Sequence, residues 1–560
     1  MAPGLKLRRG VRATGVIKGA RRGRHRLPEL ILIPQDLRTA DPSVFAELSA
    51  GTMGLAGATV QITGGSPFRT PPPNPEWQAL LLGFGWLSDL RAANSPDAHA
   101  LARHTVDDWL IASRPAESPD WALPIAARRL ISWLSNSGML TEDAEPAAYD
   151  RFLAGCQSHI NAIAAMTGHG QGSELLTAHI ALVMGCLCLS DQEPRLGSAL
   201  AGLKAELARQ ILPGGGHVSR HPGVPVDLLL DLLPLKQCFM ARQQKTPDWL
   251  QETMQRMAAM LRHMQLGDRR LARFNGMAAT GVDQLATVLA YHAGPLPLID
   301  ATESSGYLRL SRRSTIVLVD GGKLPPAEFS ATAHAGTLSF EMSSGPWPVI
   351  VNSGAPGPAA QDWRRQARGT AAHSTLLLND TASARLVREG KEGPEVLTGP
   401  SSVEAKIVEP GDGAAEIQGF HTGYQQRFGM VHARVLRLSA QGDRLSGHER
   451  IFQPQRTEVA ARRDLTYSIH FHIHPQARAR YGAEAGTAEI ELPGGEQWKF
   501  SAYGSKIGLE DSLFFATFSG PIRSVQLVLR GHVLADTQVT WTLERRSTDP
   551  VPQLPDSFQS

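Results

Sequence analysis

The hydrophobic pattern of this 560-residue chain changes its period once, near Leu298. From Asn74 to about Gly294, segments such as EWQALLLGFGWLSDLRAA and GSALAGLKAELARQIL repeat their apolar residues with the period of an amphipathic helix. After Leu298, short alternating or β-branched runs such as TIVLVD and SVQLVLRG are separated by Gly, Asp, Asn and Pro turns. The pattern predicts a helical first part followed by an antiparallel β-sandwich.

About ten successive helices with short loops favour an incomplete (α/α) toroid or a solenoid over a four-helix bundle. The predicted domains are a basic, disordered extension at 1–40, a helical toroid at 41–298, a β-sandwich at 299–546 and a flexible tail at 547–560. The four cysteines all lie in apolar helical segments, where buried core positions are expected rather than reactive thiols.

Composition narrows the functional classes. A hydrophobic content of 42% and a charged content of 19% are typical of a soluble globular protein. No apolar run reaches the roughly 18 residues of a membrane span, and none near the N-terminus is long enough for a secretory signal. Residues 1–26 contain nine Lys and Arg and no acidic residue, so the remainder is net acidic. A nucleic-acid enzyme is therefore disfavoured, although the basic arm is suited to loose contacts with acidic lipids or nucleic acid.

In the second half, candidate functional side chains are concentrated in the stretch 331–376. It contains His334, Asn352 and His373 around predicted strands, and three arginines, Arg364, Arg365 and Arg368, in the intervening loop. Imidazoles together with an oxygen ligand suit a divalent metal, and guanidinium groups suit a carboxylate. The stretch suggests an anionic substrate and a metal site.

Two glycine-rich loops of the helical half are further candidates. In TGHGQGSELL, His169 and Gln171 precede a helix start at Glu174, which is either an anion site or an ordinary capped helix end. In LPGGGHVSRHPG, three glycines are followed by His217, Arg220 and His221. This second loop is either a functional site or a plain turn that carries surface histidines.

Two histidine clusters lie in the β half. His421, Tyr424, Arg427, His432 and Arg434 fall within fourteen residues. In YSIHFHIHP three histidines alternate and are predicted to share one strand face, namely His470, His472 and His474. Such a face could present two imidazoles to zinc, but hydrogen-bonded histidines on a half-buried sheet are the simpler interpretation.

In combination, these motifs resemble the heparinase II/III-like polysaccharide lyases. The similar segments are HAGTLSFEMS, VIVNSG, WRRQARGTAAHSTLLLND, HTGYQQRFGMVHARVLRLS and FHIHP in the β half, and GSELLTAHIALVMG and LPGGGHVSRHP in the helical half. The resemblance covers most of 120–545 and implies a helical toroid followed by a β-sandwich. The substrate it implies is an acidic, uronate-containing polysaccharide or oligosaccharide.

The resemblance also implies a reaction, β-elimination across C4–C5 of a uronic acid unit. A positively polarised group neutralises the carboxylate, a base removes the C5 proton, and an acid protonates the leaving oxygen. The candidates for carboxylate neutralisation are Gln171 and Arg220. The candidate bases are Tyr424, His217 and His221. Glu174 matches the glutamate of the family pattern and is a further candidate catalytic residue. By the same resemblance, substrate binding is expected at His169, Arg364, Arg365 and Arg368, and a structural zinc at His334, Asn352 and His373.

The chain departs from the family pattern at several positions. Gly170-Gln171 replaces the usual Asn-His, Val224-Pro225 replaces the usual Tyr-His, and Thr332 replaces the first histidine of His-Ala-His. Asn352 stands where an aspartate would bind zinc. The leading prediction is therefore a polysaccharide lyase with an unconventional base, and the alternative is an acidic-glycan binding protein without catalysis. A glycoside hydrolase ranks below both, because Glu174 has no matching second carboxylate.

The expected partners are acidic glycans, with no nucleic acid and no transmembrane segment. The oligomeric state is not predicted. The resemblance places the chain in the cell envelope or periplasm. The absence of a recognisable signal sequence makes the cytoplasm the alternative location.

Overall fold

The computed structural model describes residues 27–112, 118–168, 172, 174–292, 299, 305–388, 395–454, 465–534 and 536–546. The chain divides into two compact units. The first contains Met1–Gln210, Asp227–Met254 and Ala286–Tyr291, and the second contains Ile211–Val226, Gln255–Leu285 and His292–Ser560.

The helices follow the apolar segments identified in the sequence. Asn74 and Ser95 cap two of them by accepting hydrogen bonds from the backbone N–H groups of Trp77 and Ala98, at 2.8 and 3.1 Å. In chain order the α-helices are α1 Val44–Ser49, α2 Pro75–Gly83, α3 Leu87–Ala93, α4 Pro96–Ile111, α5 Leu123–Ser135, α6 Ser137–Thr141, α7 Pro146–Thr167, α8 Glu174–Cys188, α9 Glu193–Gln210, α10 Val224–Ala241, α11 Asp248–His263, α12 Val282–Ala290, α13 Arg364–Ala367 and α14 Gln425–Phe428.

The first unit is built by helices that pack on the next helix in the chain and on helices two or three positions away. Helix α5 packs against α2, α7 and α8, and α8 also packs against α9. The four cysteines are buried, as the sequence predicts. Burial raises the pKa of the Cys186 thiol to about 11, so this thiol is protonated at neutral pH. Among the helices in the described ranges, none has both the length and the apolar character needed to cross a bilayer.

The structure moves two of the predicted domain boundaries. Residues 27–40 belong to the first unit rather than to a disordered extension, since Leu30 forms a β-bridge with Leu189 and Arg38 pairs with Asp231 at 2.8 Å. The segments Ile211–Val226 and Gln255–Leu285 belong to the second unit, not to the helical one. These segments join the sandwich through contacts that are distant in sequence and leave no local signal. The predictions for residues 1–26 and 547–560 lie outside the described residues.

The strands described in the second half pair antiparallel, as the alternating pattern predicts, and their lengths range from three residues in Leu376–Leu378 to eleven in Ile522–His532. In chain order the strands of the whole molecule are β1 Thr52–Leu55, β2 Ala58–Gln61, β3 Tyr307–Arg312, β4 Thr315–Asp320, β5 Phe340–Ser344, β6 Trp347–Val351, β7 Leu376–Leu378, β8 Arg385–Arg388, β9 Glu395–Thr398, β10 Val403–Val408, β11 Ala415–His421, β12 Val431–Leu438, β13 Arg444–Phe452, β14 Thr466–Ile473, β15 Arg478–Tyr481, β16 Thr487–Glu491, β17 Gln497–Tyr503, β18 Lys506–Phe514, β19 Ile522–His532 and β20 Asp536–Arg546.

Two eight-stranded sheets form the sandwich of the second unit. One has the order β10-β11-β12-β13-β20-β17-β16-β15, and the other has the order β18-β19-β14-β6-β5-β4-β3, with β7 also paired to β14. Aromatic rings fill the space between the sheets, where Trp541 lies 5.7 Å from Phe340 and 4.9 Å from Phe471, centroid to centroid. The predicted fold class, a helical toroid followed by an antiparallel β-sandwich, is confirmed.

Candidate functional site

The structure brings the predicted metal residues of the second unit together. Strand β6 ends at Val351, so Asn352 is the first residue beyond it, and His373 follows a short 3-10 turn at Thr370–Ala372. The Nδ1 atom of His334 lies 3.1 Å from the Nε2 atom of His373. Nδ1 of His373 lies 2.8 Å from the carbonyl oxygen of Gly369 and must therefore carry the proton. His334 then donates through Nδ1 to Nε2 of His373, and the two rings form a hydrogen-bonded pair.

Asn352 completes this group as an amide rather than as an anionic ligand. Its Oδ1 atom accepts a hydrogen bond from the backbone N–H of Ser374 at 2.9 Å. Its Nδ2 atom is buried and has no hydrogen-bond partner among the described residues. Glu341 is the neighbouring carboxylate, but its oxygens accept from the backbone of Asn352 at 2.9 Å and from Arg273 at 3.0 Å.

This donor set fits the zinc implied by the family resemblance poorly. Two neutral imidazoles are present, but the third position offers an amide whose oxygen already has a donor. Zinc sites in proteins are built from Cys, His and carboxylate ligands. In the part of the chain that the structure describes, no group of three or more His, Cys, Asp or Glu residues could hold a metal ion. The cluster is therefore best described as a hydrogen-bonded support beside the end of β6.

Arg220, predicted to neutralise a carboxylate, is buried in the second unit and already has a carboxylate partner. Its Nη2 atom donates to Asp320 at 2.6 Å, and its guanidinium also donates to backbone carbonyl oxygens, including that of Ser305 at 3.0 Å. The close approach needs a glycine, because a Cβ atom at Gly322 would lie 2.6 Å from the Arg220 guanidinium carbon. Arg220 therefore joins segments of its own unit and is not available to a substrate.

Around Arg220 the structure brings together three residues that the sequence did not single out, namely Asn275, Tyr307 and Asp320. Asn275 donates to the hydroxyl of Tyr307 at 2.7 Å and to Asp320 at 3.0 Å. Its side-chain oxygen accepts from the backbone N–H of His334 at 3.3 Å, which links the arginine cluster to the histidine pair. The only local signal was the position of Tyr307 and Asp320 at the start of β3 and the end of β4. Their meeting with Asn275 depends on the tertiary structure.

The candidate bases His217 and His221 are engaged in local hydrogen bonds. Nδ1 of His217, which is 3% exposed, lies 2.8 Å from the Ser219 hydroxyl. Nδ1 of His221 accepts from the backbone N–H of Gly223 at 3.0 Å, and the ring also hydrogen bonds with the backbone of Gly276. Burial lowers the pKa of His221 to about 4, so the ring is neutral at physiological pH.

Tyr424, the remaining candidate base, lies in the sandwich core. Its side chain has no solvent exposure, and its hydroxyl donates to the carbonyl oxygen of Leu376 at 2.6 Å. Burial raises the pKa of this hydroxyl far above its usual value, which stabilises the protonated form. In this structure the Tyr424 hydroxyl can neither reach a polymer nor ionise readily, so its geometry gives no support to the predicted role as a base.

The histidine cluster around Tyr424 is also internal. Nδ1 of His432 lies 3.2 Å from Nε2 of His421, and its Nε2 lies 2.8 Å from Glu449. Arg434 donates to the same carboxylate at 2.8 Å. Burial acts to raise the pKa of Glu449, but the adjacent Arg434 and His432 outweigh it and lower that pKa to about 2. The buried glutamate is therefore a paired anion that joins β12 to β13.

The loop arginines separate into exposed and buried groups. Arg364 and Arg365 are exposed at the short helix α13, whereas Arg368 is buried. Arg368 donates to the carbonyl oxygens of Ala333 and Ser330 at 2.9 and 3.0 Å. Arg364 and Arg365 are therefore accessible to a ligand, whereas Arg368 holds backbone segments together; substrate binding by these arginines stays a prediction.

The candidates in the first unit are only partly described. Glu174 begins helix α8 and is exposed. The neighbouring carbonyl oxygen of Gly172 accepts a hydrogen bond from Arg209 at 2.9 Å. His169 and Gln171 lie outside the described residues, so their predicted roles in substrate binding and carboxylate neutralisation stay predictions.

A cavity of about 450 Å³ opens beside α13 in the second unit, and the sequence did not predict it. Trp363, Phe515 and Arg523 are among its lining residues, together with His472 from the strand with three alternating histidines. Nδ1 of His472 lies 2.8 Å from the Ser512 hydroxyl, and its Nε2 lies 2.9 Å from the Ala371 carbonyl oxygen. The simpler interpretation of this histidine face, as hydrogen-bonded rather than zinc-binding, agrees with these contacts.

Comparison with known proteins places the chain in a family. The family model described as "Heparinase II/III-like, C-terminal" matches residues 294–542. The "FtsZ-localized protein C" of Caulobacter vibrioides is 30% identical over 487 residues, which cover 83% of this chain and 81% of that protein.

Solved structures of lyases share the fold at low sequence identity. A crystal structure of heparinase III matches with a TM-score of 0.71 and 12% identity, covering 92% of this chain and 86% of the other. A mutant of the heparan sulfate lyase HepC from Pedobacter heparinus matches with a TM-score of 0.66 and 13% identity, covering 92% and 85%. The matched sequence model and the shared two-part fold together show that this chain belongs to the heparinase II/III-like family.

Proposed function

We propose that this chain binds an acidic, uronate-containing glycan on a heparinase-type scaffold and does not cleave it by β-elimination. One observation carries the proposal. Each of the three candidate bases of the second unit, Tyr424, His217 and His221, has a polar side-chain atom held in an internal hydrogen bond. A scaffold without an available base keeps its capacity to bind a glycan when it has lost the capacity to cleave it.

The chemistry of elimination explains why this observation supports the proposal. The C5 proton of a uronate is barely acidic, so a base must reach it while another group neutralises the carboxylate. Arg220 is committed to Asp320, and Tyr424 donates its proton to a backbone carbonyl oxygen. Replacing these contacts with substrate contacts would leave buried polar groups unpaired, which costs about 1–3 kcal/mol for each group.

Glycan binding needs only exposed groups that complement the glycan, whereas catalysis also needs an available base. Arg364 and Arg365 are exposed in the loop before His373. Guanidinium groups form paired hydrogen bonds with carboxylate or sulfate oxygens, and they do so best where competing internal partners are few. Attraction of this kind between exposed charges weakens as salt is added. An acidic glycan bound here would therefore be released at high ionic strength.

Elimination remains the competing function, because the chain has the lyase fold and retains Glu174 at the start of α8. To separate the two, the purified protein is incubated with heparan sulfate, hyaluronan and alginate. Unsaturated product is followed by ultraviolet absorbance, and binding is followed by calorimetry, with heparinase III as the positive control. Binding without unsaturated product is the expected result.

The other outcomes are equally informative. Unsaturated product from the purified chain would overturn the non-catalytic proposal and support a lyase. New reducing ends without unsaturation would indicate hydrolysis. Weaker binding is expected when Arg364 and Arg365 are both changed to Gln. Arg478→Gln, which changes an exposed arginine of β15, is the matched control and should bind normally.

A second role is supported by the relative from Caulobacter vibrioides, which is described as localised with FtsZ. Its 30% identity over 83% of this chain is well above the 12% and 13% of the two lyase structures. A fluorescent fusion of this chain, expressed in that bacterium, is expected to overlap with FtsZ, unlike the free fluorescent protein. A uniform distribution, under conditions in which the relative's own fusion overlaps with FtsZ, would argue against this role.

The same cells can test the two predicted locations. If the chain is in the cytoplasm, protease added to spheroplasts should leave the fusion intact. If it is in the periplasm or exposed envelope, the fusion should be degraded while a cytoplasmic marker survives.

A further inference from the structure

The cavity beside α13 has the size and composition of a ligand site. It lies where β14, β18 and β19 meet the segment 353–372, and its volume is about 450 Å³. Pockets that bind small ligands commonly have volumes of roughly 300–1,000 Å³. The cavity is open to solvent, as a site for one or two rings of a longer polymer must be.

One wall of the cavity is aromatic and partly uncovered. The ring centroids of Trp363 and Phe515 are 5.9 Å apart, and Trp363 remains 41% exposed whereas Phe515 is 4% exposed. A tryptophan that served only to pack on Phe515 would gain most by full burial. The negative face of its π-system attracts the weakly positive C–H groups on one face of a pyranose ring.

The floor of the cavity is polar and neutral. His472 is fixed between the Ser512 hydroxyl and the Ala371 carbonyl oxygen, at 2.8 and 2.9 Å. Burial lowers its pKa to about 3, so it brings no charge at neutral pH. Gln526 accepts a hydrogen bond from the adjacent His470 at 2.9 Å. The floor therefore offers fixed dipoles rather than a competing ion.

Two charged side chains at the cavity remain available to a ligand. Arg523 on β19 and Asp511 on β18 are both exposed lining residues. Within the described residues, neither side chain forms an ion pair or hydrogen bond. A guanidinium can donate two parallel hydrogen bonds to a carboxylate, and a carboxylate can accept from sugar hydroxyls. An uronate ring presents both kinds of group.

We infer that this cavity holds one uronate ring of the glycan, with Trp363 stacked on the ring face. Arg523 donates to the sugar carboxylate, and Asp511 accepts from ring hydroxyl groups. The inference rests on the proposed glycan binding, and it assigns to that function a site and a carboxylate-specific contact. The exposed Arg364, next to Trp363, would lie on the path of the adjoining sugar units.

The test measures how tightly the full chain binds two probes. The acidic probe is a heparan sulfate tetrasaccharide, and the carboxyl-reduced probe is the same tetrasaccharide with its carboxyl groups reduced. Trp363→Ala is expected to weaken binding of the acidic probe tenfold or more, and Trp363→Phe to retain most of the affinity. Arg523→Gln is expected to remove the preference of the wild-type chain for the acidic probe. Circular dichroism of each variant verifies that it is folded.

Matched control variants lie on the other sheet of the sandwich. Tyr503→Ala removes an aromatic ring that is 62% exposed on β17, and Arg478→Gln removes an exposed arginine on β15. Both should bind as the wild type does. Wild-type affinity in folded Trp363→Ala and Arg523→Gln variants would overturn the cavity assignment and leave the proposed function standing. Failure of the wild-type chain to bind the acidic probe would overturn both.

Discussion

The Tyr424 hydroxyl donates a 2.6 Å hydrogen bond to the carbonyl oxygen of Leu376, within the core of the sandwich. This contact joins the turn after β11 to strand β7, and it uses the proton that a catalytic tyrosine would have to lose. Tyr424, which lies in a motif that resembles the family, is therefore a core residue of this chain.

Changing Tyr424 to Phe should therefore affect stability and leave glycan binding unchanged. The Leu376 carbonyl oxygen would lose its buried donor, at a cost of about 1–2 kcal/mol in the free energy of unfolding. Urea unfolding, followed in the sandwich by hydrogen exchange and mass spectrometry, measures the change. Tyr503→Phe, at an exposed ring, is the control and should unfold as the wild type does. A lyase activity that is present in the wild type and lost in a fully stable Tyr424→Phe variant would contradict this account.

The buried ion pair of Arg220 and Asp320 gives a second prediction. Both side chains are at most 6% exposed, and their charged atoms are 2.6 Å apart. Asp320→Asn leaves a buried cation without its counter-ion, which typically destabilises a protein by about 3–5 kcal/mol. We expect a loss of this order in the free energy of unfolding of the second unit, as measured by urea unfolding.

The control for this prediction is an exposed pair in the same unit. Arg450 and Asp536 are 2.8 Å apart, but their side chains are 46% and 44% exposed. Solvent screening makes such pairs weak, so Asp536→Asn should have a much smaller effect. If the two variants lose equal stability, the burial argument for Arg220 is wrong.

Stability should also depend on pH through His263. Burial is the main cause that lowers its pKa, the Tyr307 carbonyl oxygen opposes the shift and Arg309 adds to it, and the pKa falls from 6.5 to about 4. The unfolded chain therefore takes up this proton first. The stabilisation is fully present above about pH 6.5 and is lost as the pH falls towards 4, by up to about 3 kcal/mol.

His263→Gln should reduce the pH dependence of the urea midpoint between these two pH values by the contribution of this one side chain. The glutamine keeps a donor for the Tyr307 carbonyl oxygen, which accepts from His263 at 2.9 Å. His532→Gln, at an exposed histidine of β19, should leave the dependence unchanged. An equal slope in wild type and His263→Gln would assign the acid sensitivity to other groups.

The poor fit to zinc can be tested by restoring a carboxylate. We expect the purified wild-type chain to contain zinc well below one equivalent, because Asn352 supplies an amide that accepts from Ser374. Asn352→Asp should increase zinc retention after dialysis, as measured by elemental analysis. Adding His334→Ala to the Asn352→Asp variant should abolish the increase. Stoichiometric zinc in the wild type, lost in His334→Ala, would show that the amide is an adequate ligand.

Several features follow from the sequence because they depend on local pattern. The change from a 3.6-residue to a two-residue period near Leu298 predicts helices followed by strands, and the structure has both in that order. The apolar surroundings of Cys186 predict its burial. Alternation in β14 puts His470 and His472 on one face, where their rings are 6.2 Å apart. In each case the deciding contacts lie within one element or its immediate neighbours.

Only the tertiary structure decided which polar groups remain available. Arg364 and Arg368 are four residues apart in one motif, yet the first is exposed and the second is bound to the carbonyl oxygens of Ser330 and Ala333. Arg220 meets Asp320 across a separation of one hundred residues. Residue type and spacing therefore determined the fold and its family. Whether a group can act on a ligand depended on long-range packing, because a buried polar atom must take an internal partner.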